Sequence, residues 1–263
     1  MKFTKDEIRS SMLLYAVTDR MWLKEGESLV DVAEKVLQNG ATFLQIREKD
    51  LDEASFEEES EKLKALCNSY RVPFVVNDSV EIALQCGADG VHVGQSDIKG
   101  RDIRAIIGPD KILGISAGTV EQAIAAEKAG ADYIGVGAVF PTSTKKDAKP
   151  METELLRRIS NAVSIPVVAI GGINAGNILK LSGSGVDGVA VVSAIFGAQD
   201  PGRATAELRE LSAQMVAAHE SALCCFRHGR HPGGLHGLLA AAGPGVSDGP
   251  GRHGGHGRGA GTH

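Results

Sequence analysis

A repeated unit constrains the fold of this chain more than any other feature. Eight short apolar segments recur about 25 residues apart, and stretches with helical spacing separate them. The segments begin at Leu13, Thr42, Pro73, Gly90, Ile112, Tyr133, Pro166 and Gly188. Strands that alternate with helices at this spacing predict parallel β-α-β units, and eight units close an α/β barrel of the (β/α)8 TIM type. A doubly wound open sheet is the main alternative, and the regularity of the eight units favours closure.

The stretches between the predicted strands carry helical signals. SLVDVAEKVLQNG and TVEQAIAAEKAGAD place apolar residues three and four positions apart, and each reaches an Asn-Gly or Ala-Gly pair where a C-cap belongs. The tripeptide GAD or GVD recurs before three strands, at Gly87, Gly130 and Gly185. We interpret this tripeptide as a repeated helix-stop signal.

A change of composition after Glu220 predicts two regions. Residues 1–220 contain the barrel pattern. The 43 residues from Ser221 to His263 hold 13 of the 33 glycines and six of the eight histidines, and only one acidic residue. This low-complexity stretch has no helical or strand period, so we predict a disordered Gly/His-rich tail over residues 221–263. A metal-binding tail is the alternative interpretation.

Composition excludes several classes of protein. The chain has 263 residues, of which 43% are hydrophobic and 23% charged, as in a soluble globular protein. Its net charge of -5 argues against a nucleic-acid binder that relies on diffuse basic attraction. No apolar run approaches the roughly 20 residues of a membrane span, and the start, MKFTKDEIRSSM, lacks the features of a secretory signal. We therefore expect a cytoplasmic protein. The spacing of its four cysteines suggests neither a disulfide framework nor zinc.

Polar residues at the predicted strand ends indicate where chemistry would occur, because TIM barrels carry their active sites there. At the end of strand 2, Gln45, Arg47 and Lys49 alternate with the apolar Leu44 and Ile46. If the apolar pair faces the helices, the polar trio points into the barrel mouth, where two cations require an anion. A solvated loop, or ion pairs with nearby acids, is the alternative.

Strands 3 and 4 end in residues suited to a hard cation. Asn77 and Asp78 end strand 3, and Asp97 follows strand 4. Two carboxylates on neighbouring strand tops predict a Mg²⁺ site that phosphate oxygens and waters would complete. A turn or a helix cap is the alternative for either aspartate. His92, within strand 4, is predicted to be a packed residue and not a ligand.

The later strand ends supply hydrogen-bond donors. Ser116 could donate to a phosphate or a ring nitrogen, or cap the next helix. Thr142, Ser143, Thr144 and Lys145 form a polar loop after strand 6, suited to binding anions and to acting as a mobile lid.

Strands 7 and 8 lead into loops that form the recurrent phosphate site of these barrels. They contain Gly171-Gly172 and Val192-Ser193, whose backbone amides would bind phosphate. Glycines that serve only a tight turn are the alternative. Two anion sites in one mouth suggest that a diphosphate substrate meets a monophosphate substrate.

Eight segments between Leu13 and Phe196, in order and spacing, together resemble the thiamine-phosphate synthase family: LYAVTDR, QIREKD, VVND, DGVHVGQSD, GISAGT, GVGAVFPTSTKKDA, VAIGGI and GVAVVSAIF. The resemblance implies a (β/α)8 transferase of thiamine biosynthesis that requires Mg²⁺. Such an enzyme joins 4-amino-2-methyl-5-(diphosphooxymethyl)pyrimidine to 4-methyl-5-(2-phosphoethyl)thiazole and releases diphosphate. Its partners are these small molecules, with no nucleic acid and no membrane; a homo-oligomer is compatible with the sequence.

The resemblance also implies residue roles. The pyrimidine diphosphate would be held by Gln45, Ile46, Arg47, Glu48, Lys49 and Asn77, with Ser116 and Lys145 also contacting it or its departing diphosphate. Arg47, Lys49, Ser116 and Lys145 would be catalytic. Asp78 and Asp97 would bind Mg²⁺. The thiazole phosphate would be held by Thr142, Ser143, Thr144, Gly172, Val192 and Ser193.

The implied reaction needs no strong base or covalent nucleophile. The electron-rich aminopyrimidine expels diphosphate to form a benzyl-like cation, which the thiazole nitrogen captures. Charge stabilisation and placement are then the main requirements. Two alternatives remain: a thiazole tautomerase-like relative with the same barrel, and a non-catalytic sensor of phosphate ligands.

Overall fold

A computed structural model describes residues 3–142 and 151–227 and shows a closed barrel of eight parallel strands in sequential order. The strands are β1 (Leu14–Val17), β2 (Phe43–Ile46), β3 (Phe74–Asn77), β4 (Gly90–Val93), β5 (Ile112–Ala117), β6 (Tyr133–Gly137), β7 (Val167–Ile170) and β8 (Gly188–Val191). Each begins within one residue of its predicted start. The predicted barrel is therefore confirmed, and β1 pairs with β8 instead of leaving the sheet open.

Helices cover the outside of the barrel. They are α1 (Lys5–Ser11), α2 (Leu29–Gln38), α3 (Glu53–Tyr70), α4 (Val80–Gln85), α5 (Ile103–Ile107), α6 (Val120–Lys128), α7 (Thr153–Ala162), α8 (Ser193–Phe196) and α9 (Pro201–Arg227). A short 3-10 turn, Ile178–Leu181, takes the place of a helix between β7 and β8. No helix in the described ranges is long and apolar enough to cross a membrane.

Polar caps explain why helices begin soon after the strands. The residue before each of five helices places a side-chain oxygen on a backbone N–H of the first turn, which otherwise lacks an intrahelical partner. These caps are Ser28, Asp52, Ser79, Asp102 and Thr119. The ends of two helices are also specified locally: Gly87 and Gly130 directly follow the C-caps of α4 and α6 and have positive φ, as the predicted helix-stop signal requires. Gly185 also has positive φ, but it lies beyond the 3-10 turn between β7 and β8 and ends no helix, so the prediction is wrong there.

The apolar core has two layers. The larger layer lies between strands and helices and includes Leu44 and Ile46 of β2. The smaller layer fills the barrel itself, where Tyr15, Phe43 and Tyr133 pack together. Ile8 of α1 and Met12, which caps that helix, belong to this inner layer, so α1 closes the amino-terminal end of the barrel.

A hydrogen-bonded clamp recurs four times at that closed end. The residue immediately before each of β2, β4, β6 and β8 makes two hydrogen bonds to the preceding strand. Its side-chain oxygen accepts from a backbone N–H near the start of that strand, at 2.8 or 2.9 Å, and its own backbone N–H donates to a carbonyl of the same strand. The clamp residues are Thr42, Asp89, Asp132 and Asp187. The three aspartates also pair with cations, namely Lys64, Arg104 and Arg9 respectively. The pattern ties neighbouring strands together in pairs.

Helix α9 continues to Arg227, past the domain boundary predicted at 220. The physical reason is local, because SALCCFR contains no glycine and extends the helix; the Gly/His-rich sequence starts at His228. The division into a barrel domain and a tail remains a prediction, since residues 228–263 lie outside the described ranges.

Candidate active site

A cavity of about 660 Å³ opens at the carboxyl ends of the strands, and every strand contributes to its wall. Most side chains that were expected to act together lie on it. From the sequence-predicted set, the cavity is lined by Gln45, Arg47, Lys49, Asn77, Asp78, Asp97, Ser116, Thr142, Gly172, Val192 and Ser193. Ser143, Thr144 and Lys145, and with them the predicted lid, lie outside the described residues.

Alternation along β2 separates the predicted residues of its carboxyl end. Gln45, Arg47 and Lys49 face the cavity, whereas Ile46 is part of the outer core. The Glu48 side chain is only 2% exposed and accepts a hydrogen bond of 2.7 Å from Arg20 Nε. The prediction that Ile46 and Glu48 line the substrate site is therefore corrected for their side chains, which point away from it.

The two cations of the mouth are available to an anion. Within residues 3–142 and 151–227, neither Arg47 nor Lys49 is ion-paired with a carboxylate. The alternative in which Glu48 neutralises these two cations does not apply, because Glu48 forms an ion pair with Arg20. Two cations on one wall of a cavity are suited to binding a multiply charged phosphate.

Asp78 and Asp97 face the same cavity. Partial burial raises the pKa of Asp78, the neighbouring Asp97 carboxylate raises it further, and Asn77 and Arg47 oppose the shift. Asp78 has a positive φ of 63°, a conformation that aspartate tolerates better than most residues. Its backbone N–H donates to the His92 carbonyl at 2.8 Å.

Ser79, not Asp78, caps α4, so the cap interpretation fails for Asp78. For Asp97 the turn interpretation holds in part, because its Oδ2 accepts from Gly94 N at 2.8 Å.

These two carboxylates fit a divalent cation as a minimal donor set. They repel each other, which a cation between them would relieve, and oxygen ligands suit a hard metal ion. No group of three or more His, Cys, Asp or Glu residues in the described part of the chain could hold a metal. Waters or substrate oxygens would therefore have to complete the coordination.

Ser116 lies on the cavity wall, and its carbonyl accepts a hydrogen bond of 2.6 Å from Gln95. Thr119 caps α6, so Ser116 is not the helix cap. Its Oγ is 3.0 Å from Nε2 of His92, whose Nδ1 lies 3.0 Å from the Tyr133 hydroxyl. Burial lowers the pKa of His92 to about 4, with Asp97 opposing, so the imidazole is neutral at neutral pH.

Sequence reasoning missed the role of His92. It is packed, as expected, but it also lines the cavity and is hydrogen-bonded through both ring nitrogens. Its inward position was available from strand parity, since the apolar Val91 and Val93 on either side of it belong to the outer core. Its partner Tyr133 carried no sequence signal, because a buried tyrosine in a strand resembles any core aromatic residue.

The glycines after β7 have a structural requirement of their own. Gly171 and Gly172 both have positive φ, and a Cβ on Gly172 would overlap the Pro141 carbonyl and lie 2.9 Å from Phe140 Cβ. Close approach of two loops therefore explains them without a ligand. Val192 and Ser193 lie where α8 begins, also on the cavity.

Comparison with known proteins identifies the family of this barrel. The sequence model described as thiamine monophosphate synthase matches residues 14–195. The chain belongs to this family.

Individual relatives support this family membership. The thiamine-phosphate synthase of Ruminiclostridium cellulolyticum is 50% identical over 198 residues, which are 75% of this chain and 94% of the relative. That of Clostridium tetani is 48% identical over 195 residues, 74% of this chain and 93% of the relative. Among solved structures, thiamine phosphate pyrophosphorylase from Pyrococcus furiosus has 40% identity and a TM-score of 0.73, covering 80% of this chain and 99% of that one. The chain is thus a transferase of thiamine biosynthesis, as the resemblance implied.

Proposed function

We propose that this enzyme condenses 4-amino-2-methyl-5-(diphosphooxymethyl)pyrimidine with 4-methyl-5-(2-phosphoethyl)thiazole to give thiamine phosphate and diphosphate. The bond between the exocyclic methylene carbon and the diphosphate oxygen breaks, and its electron pair leaves with diphosphate. The ring nitrogen of the thiazole then forms the new bond to that carbon. The observation that carries the proposal is the shared cavity wall, where Arg47 and Lys49, which have no carboxylate partner among the described residues, lie on the same side of the mouth as the carboxylates Asp78 and Asp97.

Arg47 and Lys49 would bind the diphosphate and stabilise the charge that develops as it departs. Such charge stabilisation is commonly the largest contribution to catalysis of this kind. The first 220 residues carry a net charge of -8, which repels phosphates at long range. Local cations must therefore provide the attraction.

Asp78 and Asp97 would hold a divalent metal, which we propose is Mg²⁺. When bound, Mg²⁺ would supply Lewis-acid neutralisation of the diphosphate oxygens. The donor set supports this assignment, because two carboxylates leave several coordination positions for phosphate oxygens and waters.

The remaining polar groups would orient the pyrimidine substrate. Gln45 and Asn77 lie on the wall beside the cations, and Ser116 lies on β5 further round the barrel. Lys145 is proposed to assist the departing diphosphate. Ile46 and Glu48 could contribute only through their backbone, because their side chains point outward.

The thiazole phosphate would bind on the opposite side of the mouth. Support comes from Thr142, Gly172, Val192 and Ser193, which line the cavity at the ends of β6, β7 and β8. Ser143 and Thr144 complete the proposed set. This arrangement places the two substrates face to face, so that the reaction becomes effectively unimolecular.

The deciding experiment measures diphosphate release on mixing both substrates with Mg²⁺, with each substrate alone as the control. We expect release that depends on both substrates and on the metal. A tautomerase-like relative would give no diphosphate, and a sensor would bind phosphate compounds without releasing any. Either outcome would overturn the proposal.

A further inference from the structure

A continuous chain of hydrogen bonds crosses the barrel directly beneath the cavity. Gln45 Nε2 donates to the Tyr15 hydroxyl at 2.6 Å, and the hydroxyls of Tyr15 and Tyr133 are 2.7 Å apart. The Tyr133 hydroxyl lies 3.0 Å from His92 Nδ1, and His92 Nε2 lies 3.0 Å from Ser116 Oγ. Five side chains from five strands thus connect Gln45 on one side of the mouth to Ser116 on the other.

The hydrogen bonds of this chain of side chains all run in one direction. The Gln45 amide nitrogen is a donor only, so the Tyr15 oxygen accepts from it. Tyr15 is buried, and among the described residues the acceptor for its own proton is the Tyr133 oxygen. The Tyr133 proton then goes to His92 Nδ1, which leaves the His92 proton on Nε2, directed at Ser116 Oγ. In this order the hydroxyl protons of Tyr15 and Tyr133 and the N–H proton of His92 each have an acceptor, which buried polar groups require.

The consequence falls on Ser116. Because its Oγ accepts from His92, its single proton is not used within the chain and is free to point into the cavity. A serine held in this way is a donor to an anion. With the opposite direction, the same serine would donate to His92 and offer only lone pairs to the cavity, which repel an anion.

The backbone around the chain leaves room for these hydrogen bonds and little more. A Cβ on Gly114 would overlap the Tyr133 ring and lie 2.5 Å from His92 Nδ1, and one on Gly135 would lie 3.1 Å from His92 Cε1. Glycine at both inward-facing positions therefore keeps open the space that the His92–Tyr133 pair occupies.

We propose that Tyr15, Tyr133 and His92 are positioning residues that fix the tautomer of His92 and thereby present the Ser116 hydroxyl as a donor to the departing diphosphate. The proposal rests on the proposed function for its substrate. Its geometry is independent of that function, and the three residues need not touch either substrate.

A double-mutant cycle tests the mechanism. Tyr133→Phe removes one hydroxyl and keeps the buried ring. We expect it to lower kcat for diphosphate release about tenfold, the effect of losing one oriented hydrogen bond to a reacting group, and to change KM for the pyrimidine diphosphate less than about twofold. In a Ser116→Ala background the same substitution should change kcat less than about twofold. The proposal would be overturned if Tyr133→Phe lowered kcat by the same factor with and without Ser116, or if the Tyr133→Phe variant kept full kcat.

Phe43→Leu is the matched packing control. The Phe43 ring packs against those of Tyr15 and Tyr133 in tilted and edge-to-face contacts, with ring centroids 4.4 and 5.5 Å apart, but takes no part in the hydrogen-bond chain. Any loss of kcat that it causes should be the same factor with and without Ser116. This control separates loosened packing from loss of the oriented proton.

Nitrogen-15 NMR of the histidine-labelled full chain tests the direction without substrate, with the His92 signals assigned through His92→Gln. We expect Nδ1 to have the chemical shift of an unprotonated nitrogen and Nε2 that of a protonated one. Tyr133→Phe should change the ratio of the two His92 tautomers. A proton on Nδ1 in the unsubstituted protein would overturn the inference. If the protein releases no diphosphate, the proposed function fails, and the NMR result alone decides the direction of the chain.

Discussion

At the scale of single residues, side-chain parity at the end of β2 determines which groups meet the substrate. Arg47 and Lys49 face the cavity and have no carboxylate partner in the part of the chain that the structure describes, while Glu48 between them is buried against Arg20. A shift of one residue would exchange these environments and place the cations in the outer core. The electrostatics of the mouth therefore depend on the register of this strand.

Removal of Lys49 tests that electrostatic assignment. Lys49→Ala should lower single-turnover diphosphate release about tenfold or more, because one stabiliser of the leaving group is lost. Asp78→Ala should have a similar effect, since it removes half of the proposed metal site. Lys62→Ala is the control, because Lys62 lies on α3 in an exposed pair with Glu58. Full rates in both active-site variants would refute the assignments.

Loss of Arg20 should destabilise the fold through Glu48. Arg20→Ala leaves a carboxylate that is 2% exposed without its cation, and we expect the free energy of unfolding in urea to fall by about 3 kcal/mol. Burial already raises the pKa of Glu48, so the folded state favours its protonated form. The deficit should therefore be present at neutral pH and shrink as pH falls through that raised pKa. A deficit independent of pH would contradict this explanation.

At the scale of elements, the repeated clamp at the closed end of the barrel is the main device that sequence analysis recognised only in part. The GAD and GVD tripeptides predicted helix ends, which Gly87 and Gly130 confirm and Gly185 does not. Their aspartates do more, because each accepts from a neighbouring strand and pairs with a cation. The pairing was not predictable, since Arg9 and Asp187 are far apart in sequence and meet only when the barrel closes.

Substitution of Asp132 tests whether the clamp stabilises the barrel. The Asp132 carboxylate accepts 2.8 Å from Leu113 N and 2.7 Å from Arg104, both in a largely buried setting. Asp132→Asn should lower the unfolding free energy by about 2 kcal/mol and leave kcat unchanged, because the clamp lies at the end of the barrel opposite the cavity. Glu154→Gln breaks an exposed pair with Arg157 and should cost less than about 1 kcal/mol. Equal losses in the two variants would contradict the role of the clamp.

At the scale of the whole molecule, the sequence was sufficient for the fold and for most of the wall of the site. Eight strand starts and the inward positions of Gln45, Arg47 and Lys49 followed from periodicity alone. The His92–Tyr133 pair did not, because contacts across a barrel depend on its closure and register. The outward burial of Glu48 followed from parity, but the resemblance to a family treated residues 45–49 as one stretch.

The region beyond the barrel should be dispensable for catalysis. The relatives from Clostridium tetani and Ruminiclostridium cellulolyticum align over about three quarters of this chain and over 93% and 94% of their own length, so their activity needs no counterpart of the remainder. Deletion of residues 221–263 should therefore leave kcat and KM unchanged. Because α9 reaches Arg227, deletion of 228–263 is the control for helix truncation. An inactive but folded 228–263 deletion would overturn this expectation.

The central claim, that the mouth stabilises a departing diphosphate between its cations and a metal, is tested most directly by a crystal structure with the pyrimidine diphosphate and Mg²⁺ bound. The account predicts diphosphate oxygens on Arg47 and Lys49, and a metal ion held by Asp78 and Asp97. A diphosphate bound away from Arg47 and Asp78 would contradict it.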